Sequence, residues 1–246
     1  MSTARQAALT AVVTGIALLG MYSYASAAEP RSASQADTEQ KAPRAKQALA
    51  LVYKPPQRGA PGGRVGGATR GTRERDTFVL SVLAPDHTGL TVSEQPSLFW
   101  FISAETTLPV ELTLVDPNAV EPVLEVTLAS PVQHGIHRVR LADYGVRLKQ
   151  GVAYQWSIAI VPDGARRSRD ILASGAIERI EPASEWKTKL ASARGEGRAA
   201  LYAESGIWYD ALEAISDLID TAPADDMPRR YRAALLAQGG LPEIAQ

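Results

Sequence analysis

The feature that most constrains the fold is a series of seven short apolar segments between residues 78 and 180. Most of them alternate apolar and polar residues with a period of two, which is typical of strands with one buried and one exposed face. No helical crossover pattern separates them, which disfavours a parallel α/β sheet. We therefore predict an antiparallel, immunoglobulin-like β-sandwich over residues 77–181. The segments are 78–83, 98–102, 110–115, 123–128, 136–141, 154–160 and 176–180.

The pattern changes from strands to helices after Glu181-Pro182. Pro182 suits the first position of a helix, and Gly206 is expected to separate two helices. Pro228 is expected to open another helix, which Gly239-Gly240 would stop. The predicted fold class is therefore α+β with segregated parts, a β-sandwich followed by an α-helical hairpin over residues 182–246. The clearest helical stripe is Ala211, Leu212, Ile215, Leu218 and Ile219.

The opposite face of that helix carries a stripe of acidic residues. Such a stripe is usually the solvated side of an amphipathic helix. It could also receive arginines from the next helix, although exposed pairs add only about 0–1 kcal/mol each. The acids are Asp210, Glu213, Asp217 and Asp220, and the arginines are Arg229, Arg230 and Arg232.

The first 27 residues contain the parts of a secretory signal. Arg5 supplies the positive region, residues 7–20 are uncharged, and Ala25-Ser26-Ala27 is an A-x-A cleavage site. The apolar run is shorter than the ~20 residues that a membrane-spanning helix needs. We therefore expect cleavage after Ala27 and export to the periplasm or beyond, with no transmembrane segment in the mature chain.

Two unusual segments follow the signal. Residues 28–53 have no periodic apolar pattern and are predicted to be a flexible leader. Residues 54–76, the Gly/Arg arm, contain six glycines, six cationic residues and two acidic residues. So many glycines disfavour a helix or a long strand.

The Gly/Arg arm is the strongest candidate binding segment. Glycine amides can form an anion-binding nest, and arginine forks onto phosphate or carboxylate. Alternatively, the arm lies along the sandwich with its arginines paired to surface acids. It lacks the Gly-Lys-Ser/Thr of a P-loop and the strand–turn–helix context of a dinucleotide site, so no cofactor is predicted. The candidate partner- or anion-binding residues are Arg58, Arg64, Arg70 and Arg73.

Catalytic and metal-binding motifs are not recognisable in the sequence. With no cysteine in the chain, disulfides, thiol nucleophiles and cysteine metal sites are excluded. His134 and His137 stand three apart near a predicted strand, a spacing that points to opposite faces and disfavours a metal site. A Gly-x-Ser-x-Gly elbow is missing, and the net charge of −1 argues against a dedicated nucleic-acid binder. The sequence predicts a protein that is not an enzyme, with carboxylate catalysis left open.

Three of the four tryptophans fall into two different contexts. Trp100 and Trp156 lie in strands among apolar neighbours, so we expect them in the core. Trp208 either packs within the helices or, together with Tyr209 beside Gly206, forms a helical interaction surface for a partner. Trp208 and Tyr209 are therefore the candidate residues for that surface.

Two resemblances add to this interpretation. The helical part resembles a single tetratricopeptide repeat. The second resemblance rests on residues 58–64, 67–71, 89–91, 98–101, 151–157 and 198–212. On these residues, the chain from about residue 56 to residue 240 resembles the exported bacterial family catalogued as a domain of unknown function, number 928. The residues at tetratricopeptide spacings are Ala199, Tyr202, Gly206, Trp208, Ala211, Ile215, Leu218 and Pro223.

The larger resemblance implies an exported protein of this layout and no established reaction. In that family the strand after Tyr154 often bears a cysteine, whereas Val161 stands near that point here. We expect a non-catalytic binding or adaptor module of the bacterial envelope that contacts an envelope protein through its helical groove, its arm or both. The alternatives are a periplasmic sensor that binds an anionic molecule through the arm, and a carboxylate-dependent periplasmic hydrolase. We further expect the sandwich to fold without the helices.

Overall fold

The computed structural model describes residues 51–56, 68–69 and 78–245. The predicted signal, most of the leader and most of the Gly/Arg arm lie outside these residues. The chain from residue 47 to residue 246 forms one compact unit.

The described residues contain nine strands and four α-helices. The helices are α1 (Ser184–Ser192), α2 (Gly195–Glu204), α3 (Trp208–Thr221) and α4 (Asp226–Gln238). The strands are β1 (Ala68–Thr69), β2 (Phe78–Val82), β3 (Gly89–Thr91), β4 (Ser97–Ile102), β5 (Val110–Val115), β6 (Leu124–Thr127), β7 (Gly135–Arg140), β8 (Ala153–Ile160) and β9 (Ile171–Arg179). Together they confirm an α+β fold in which strands precede helices.

The strands form two sheets. The four-stranded sheet has the order β1-β2-β4-β7 and is antiparallel throughout, whereas the five-stranded sheet has the order β3-β9-β8-β5-β6. In the second sheet β3 pairs parallel with β9, so the prediction of fully antiparallel sheets is wrong at this pair. β3 has no counterpart among the predicted strands, because three residues carry no measurable periodicity. The last predicted strand begins at Ala176, five residues after β9 begins.

The alternation that predicted the strands corresponds to burial in the structure. Along β5, Val110, Leu112 and Leu114 are buried while the residues between them are half-buried. Trp100 and Trp156 are both 1% exposed, which confirms the prediction that they lie in the core. The two sheets come close at Gly175, where a Cβ would lie 2.6 Å from that of Ala84.

The predicted helical region is confirmed, with corrected boundaries. The first helix begins at Ser184 rather than Pro182. The last begins at Asp226, two residues before Pro228, because the side chain of Asp225 accepts a hydrogen bond of 2.9 Å from Met227 N and caps the helix. Gly206 separates α2 from α3 at a positive φ of 72°, a conformation that favours glycine.

The segment Leu51–Pro56, which we call the strap, packs against the helices. Leu51 and Tyr53 are buried. The amide of Tyr53 donates to Gln238 Oε1 at 2.8 Å, and that of Lys54 donates to the carbonyl of Ala203 at 3.1 Å. The prediction of a flexible leader is therefore wrong for residues 51–53, where Leu51 and Tyr53 are buried and the Tyr53 amide has a hydrogen-bond partner. Residues 28–50 lie outside the described residues.

The Gly/Arg arm also contains one short described strand. The residues of β1, Ala68 and Thr69, pair with Val79 and Phe78 of β2. The glycine content of the arm predicts no long strand. A strand of two residues is consistent with that expectation.

Candidate functional site

The four arginines that the sequence singles out in the arm, Arg58, Arg64, Arg70 and Arg73, lie outside the described residues. Their role as anion- or partner-binding residues stays a prediction. The candidate site is therefore built from the helices and the strands that they contact.

Trp208 and Tyr209 do not form an exposed surface, and their assignment to a helical interaction surface is corrected. Both side chains are 0% exposed. The indole Nε1 of Trp208 donates to the carbonyl of Leu83 at 2.8 Å. The hydroxyl of Tyr209 accepts from Trp156 Nε1 and donates to the carbonyl of Ala176. An apolar body with a polar tip suits such a position, because the tip satisfies buried backbone groups.

These contacts join the helices to the two sheets in one hydrophobic core. The sequence boundary at residues 181 and 182 marks the change from strands to helices, but it does not separate two cores. The first turn of α3 therefore buries its aromatic residues against the strands instead of presenting them to solvent.

A cleft of about 330 Å³ lies between α2 and α3, and we call it the helical cleft. It combines three carboxylates from α3 with one arginine and one tyrosine from α2. The carboxylates recur at intervals of three and four residues, so successive turns of α3 place them in one row. The lining residues are Gly195, Arg198, Tyr202, Asp210, Glu213, Ala214, Asp217 and Leu218.

Asp210 is the most buried acid of this row. It is 7% exposed, and its Oδ2 accepts a hydrogen bond of 3.1 Å from the amide of Val92. Burial raises the pKa of Asp210 to about 7, although hydrogen bonds from Thr91 and Val92 oppose the rise. The prediction that Asp210 belongs to the solvated face of the helix is therefore wrong, because this side chain faces β3.

The other acids of the row tie α3 to the four-stranded sheet. Glu213 accepts a hydrogen bond of 2.6 Å from Ser97 Oγ. Arg138 of β7 bonds Asp217 at 2.8 Å and Asp220 at 3.3 Å, and its guanidinium lies 5.1 Å from the ring centroid of Phe99. The sequence analysis allowed for arginines of the following helix as partners. In the structure Arg138 of a strand forms the ion pairs, and Arg232 of the following helix interacts electrostatically with Asp220. Periodicity within one helix cannot indicate which distant strand lies beside it.

Arg198 and Tyr202 form the opposite wall of the helical cleft. Arg198 donates to the hydroxyl of Tyr202 at 3.2 Å, and its guanidinium lies 5.7 Å from that ring centroid. Burial raises the pKa of the Tyr202 hydroxyl, while the hydrogen bond from Arg198 opposes the rise. The wall thus presents one cation and one neutral hydroxyl to the carboxylates of α3.

A second polar arrangement holds the strap. The hydroxyl of Tyr53 lies 2.9 Å from His87 Nε2, and His87 Nδ1 lies 3.1 Å from Asp86 Oδ1. Burial raises the pKa of Tyr53 above its ordinary value, with a further contribution from Asp86. This hydroxyl is therefore harder to ionise than a free tyrosine, which makes it an anchor rather than a nucleophile. The sequence carries no signal for the contact between Tyr53 and His87, because 34 residues separate them.

The described part of the chain contains no cluster of three or more histidine, cysteine, aspartate or glutamate side chains arranged to hold a metal ion. Within the same residues, none of the helices combines the length and apolar character needed to cross a membrane.

Comparison with known proteins gives one family. The family model described as Domain of Unknown Function (DUF928) matches residues 65–246. A search of curated proteins found no match.

Proposed function

The chain belongs to the family described as Domain of Unknown Function (DUF928), and we propose that it acts as an exported, non-catalytic binding module of the bacterial envelope. Its recognition site is the helical cleft, and its ligand is a cationic segment of an envelope protein. The observation that carries the proposal is the row of Asp210, Glu213 and Asp217 along one wall of the cleft. Arg198 is the one arginine among the lining residues, and Arg138 of β7 bonds Asp217.

The composition of the helical cleft supports a cationic side chain as the occupant. Carboxylate oxygens are strong acceptors for ammonium and guanidinium groups. Leu218 and Ala214 add an apolar strip against which the stem of a lysine or arginine can pack. Asp217 is 60% exposed on its side chain, so a partner can reach it from solvent.

The attachment of α3 to both sheets supports a rigid recognition surface. Tyr209 bonds β8 and β9, while Glu213 bonds β4. A preorganised site loses less conformational entropy on binding than a flexible one. The contacts that hold the acidic row in place thus favour binding by a preformed cleft.

Three finer parts of the proposal come from the sequence. We propose cleavage after Ala27 and a periplasmic or secreted location. We also propose that the two sheets are an immunoglobulin-like sandwich, and that α2 and α3 correspond to one tetratricopeptide-like hairpin whose groove is the helical cleft.

A carboxylate-dependent hydrolase is the second candidate, and one observation favours it. A carboxyl group with a pKa of about 7, such as that of Asp210, can donate a proton near neutral pH. Glu213 lies one helical turn away in the same cleft. Against catalysis, Asp210 accepts hydrogen bonds from Thr91 and Val92, and Glu213 accepts one from Ser97. Carboxylates held by these hydrogen bonds are less available for proton transfer to a substrate.

The sensor alternative depends on the arm. If an anionic molecule binds there, replacing Arg58, Arg64, Arg70 and Arg73 with serine should weaken its capture and reduce the salt dependence of the remaining binding. The melting temperature should change little, because glycine-rich residues bury little apolar surface. A large fall in melting temperature with unchanged binding would instead identify the arm as a structural clamp.

The proposal is tested by site-specific photo-crosslinking in intact cells. A photo-reactive residue at Leu218, in the helical cleft, should give a defined adduct with an envelope protein, identified by mass spectrometry. The same residue at Val120, which is fully exposed on the β5–β6 connection, should not give this adduct. Glu213→Gln combined with Asp217→Asn should lower the adduct yield by about tenfold, as expected for the loss of charge-assisted contacts.

A matched control is Glu125→Gln, which removes an exposed acid of β6 outside the cleft and should leave the yield unchanged. Equal yields from Leu218 and Val120, or a yield insensitive to the cleft variants, would contradict the binding proposal. Turnover of an ester or glycoside substrate that Asp210→Asn abolishes would favour the hydrolase.

A further inference from the structure

A second cleft, of about 290 Å³, lies along the open edge of β7, the outer strand of the four-stranded sheet. We call it the edge cleft. Four consecutive residues, 137–140, line it. Because successive side chains of a strand point to opposite faces, a cleft that all four residues line lies along the edge of the strand rather than over one face. The turn Leu141–Tyr144 and the connection that precedes β7 supply the remaining walls.

One wall of the edge cleft is apolar. It comes from the connection between β6 and β7, which includes the buried Val132 and the half-buried Leu128. The apolar residues of this wall are Leu128, Ala129, Pro131 and Val132. A ligand that fills the cleft therefore needs an apolar body on this side.

The strand side of the edge cleft carries mostly hydrogen-bond donors. Arg140 is exposed and has no ion pair within the described part of the chain. His137 Nε2 lies 2.7 Å from the carbonyl of Gln133, so this nitrogen carries the proton and donates. The hydroxyl of Tyr144 adds a further donor at the rim, and Asp143 is the one acid among the lining residues.

A buried donor without an acceptor lies on the face of the sheet that carries His137, its partner in register. Arg140, three residues further along β7, lies on the opposite face, so an acceptor at the open edge of the strand meets the two donors from either side. Trp100 lines the edge cleft and is 1% exposed, and its Nε1 has no hydrogen-bond partner among the described residues. The ring of His137 stacks on the indole with a centroid distance of 4.6 Å. Buried polar groups are almost always paired in folded proteins. An acceptor group brought into the cleft is the partner that this indole lacks.

We propose that the edge cleft binds a small organic carboxylate with an apolar body. The carboxylate oxygens accept hydrogen bonds from Arg140 and from Trp100 Nε1, while the apolar body packs on the wall that includes Leu128 and Val132. The volume is at the lower end of the range of about 300–1,000 Å³ for small-molecule pockets, so the ligand is small. This site is separate from the helical cleft, and neither proposal depends on the other.

Isothermal titration calorimetry of the full-length chain with two matched probes tests the charge requirement. Phenylacetate carries the carboxylate and an apolar ring, and phenylacetamide is its neutral counterpart. We expect phenylacetate to bind with a Kd about tenfold lower than that of the amide, because its contacts are charge-assisted. Arg140→Gln should remove this advantage, whereas Arg230→Gln, at an exposed position of α4, should keep it.

A spectroscopic experiment tests the role of the indole. The Trp100 indole N–H resonance, assigned by its loss in Trp100→Phe, should shift on addition of phenylacetate. The proposal is overturned if neither probe binds at a concentration of roughly 10 mM, because even a weak small-molecule site would be occupied at that concentration. It is also overturned if both probes bind equally, if Arg140→Gln binds phenylacetate as the native chain does, or if the Trp100 resonance does not move at saturation.

Discussion

The indole nitrogen of Trp156 donates a hydrogen bond of 2.8 Å to the hydroxyl of Tyr209, which in turn donates to the carbonyl of Ala176 at 3.0 Å. One side chain of the first turn of α3 thereby satisfies a donor on β8 and an acceptor on β9. Both hydrogen bonds lie inside the core, where an unpaired polar group destabilises the folded protein. Through these two hydrogen bonds the helical part shares its core with the strands.

We expect Tyr209→Phe to destabilise the protein by about 1–3 kcal/mol, because it leaves the Trp156 donor and the Ala176 acceptor buried without this partner. The measurement is urea unfolding followed by tryptophan fluorescence. The matched control is Tyr144→Phe, which removes the hydroxyl of an exposed tyrosine and should change the free energy of unfolding by less than about 0.5 kcal/mol. Equal effects of the two variants would contradict a special role for the Tyr209 hydroxyl.

The same contacts predict the outcome of truncation. A chain that ends at Ile180 loses Trp208 and Tyr209, and with them the partners of Leu83, Ala176 and Trp156. We expect this chain to lack a cooperative thermal transition, which replaces the sequence-based expectation that the sandwich folds alone. A chain that begins at Gln47 keeps the whole compact unit and should unfold cooperatively. A sharp calorimetric transition for the chain ending at Ile180 would indicate an independent sandwich core.

The sequence predicted the elements whose signal is local. The alternation in β5 and β8 and the glycine at the end of α2 are signals carried by a few neighbouring residues. The strand β3 was not predicted, because it is short and because it pairs with β9, a parallel strand that begins about eighty residues later in the sequence. Local patterns carry no information about such pairing.

The candidate site was less predictable for the same reason. The acidic stripe on α3 was visible, but its burial at Asp210 and its pairing with Arg138 depend on strands far away in the sequence. For Trp208 the sequence leaves two alternatives open, packing within the helices or an interaction surface shared with Tyr209. In the structure the polar tips of both residues bond buried groups, an outcome that only the packing of α3 against the strands determines.

Two glycines provide a further test of the packing. A Cβ at Gly175 would lie 2.6 Å from the Cβ of Ala84, whereas a Cβ at Gly197, inside α2, would meet no heavy atom within 4 Å. Gly175→Ala should therefore destabilise the protein by about 1–3 kcal/mol through overpacking. Gly197→Ala should stabilise it by about 0.5–1 kcal/mol, because alanine loses less backbone entropy in a helix. Thermal unfolding measures both effects. If the two substitutions shifted the melting temperature in the same direction, the close packing at Gly175 would be contradicted.

The buried carboxyl of Asp210 predicts an unusual pH dependence of stability. Its pKa is raised to about 7 in the folded chain from an ordinary value near 4. Between these values the folded state binds more protons than the unfolded state, so the free energy of unfolding falls as the pH rises from about 4 to about 7. Four other carboxyls have lowered pKa values, and their contribution to the free energy of unfolding increases with pH instead of falling. This contribution no longer changes above about pH 5. The four are Glu94, Glu111, Asp116 and Glu181.

The window from about pH 5 to pH 8 therefore isolates Asp210 among the carboxyls with shifted pKa values. We expect the native chain to lose about 2–3 kcal/mol of stability across this window, since one pKa unit corresponds to about 1.4 kcal/mol. Asp210→Asn cannot ionise and should remove most of that loss, while Asp217→Asn, which changes an exposed acid of the same helix, should retain it. Urea unfolding at a series of pH values measures the slope. A slope in Asp210→Asn equal to that of the native chain would mean that this carboxyl is ionised in the folded protein throughout the window, and it would remove the proton donor on which the hydrolase alternative depends.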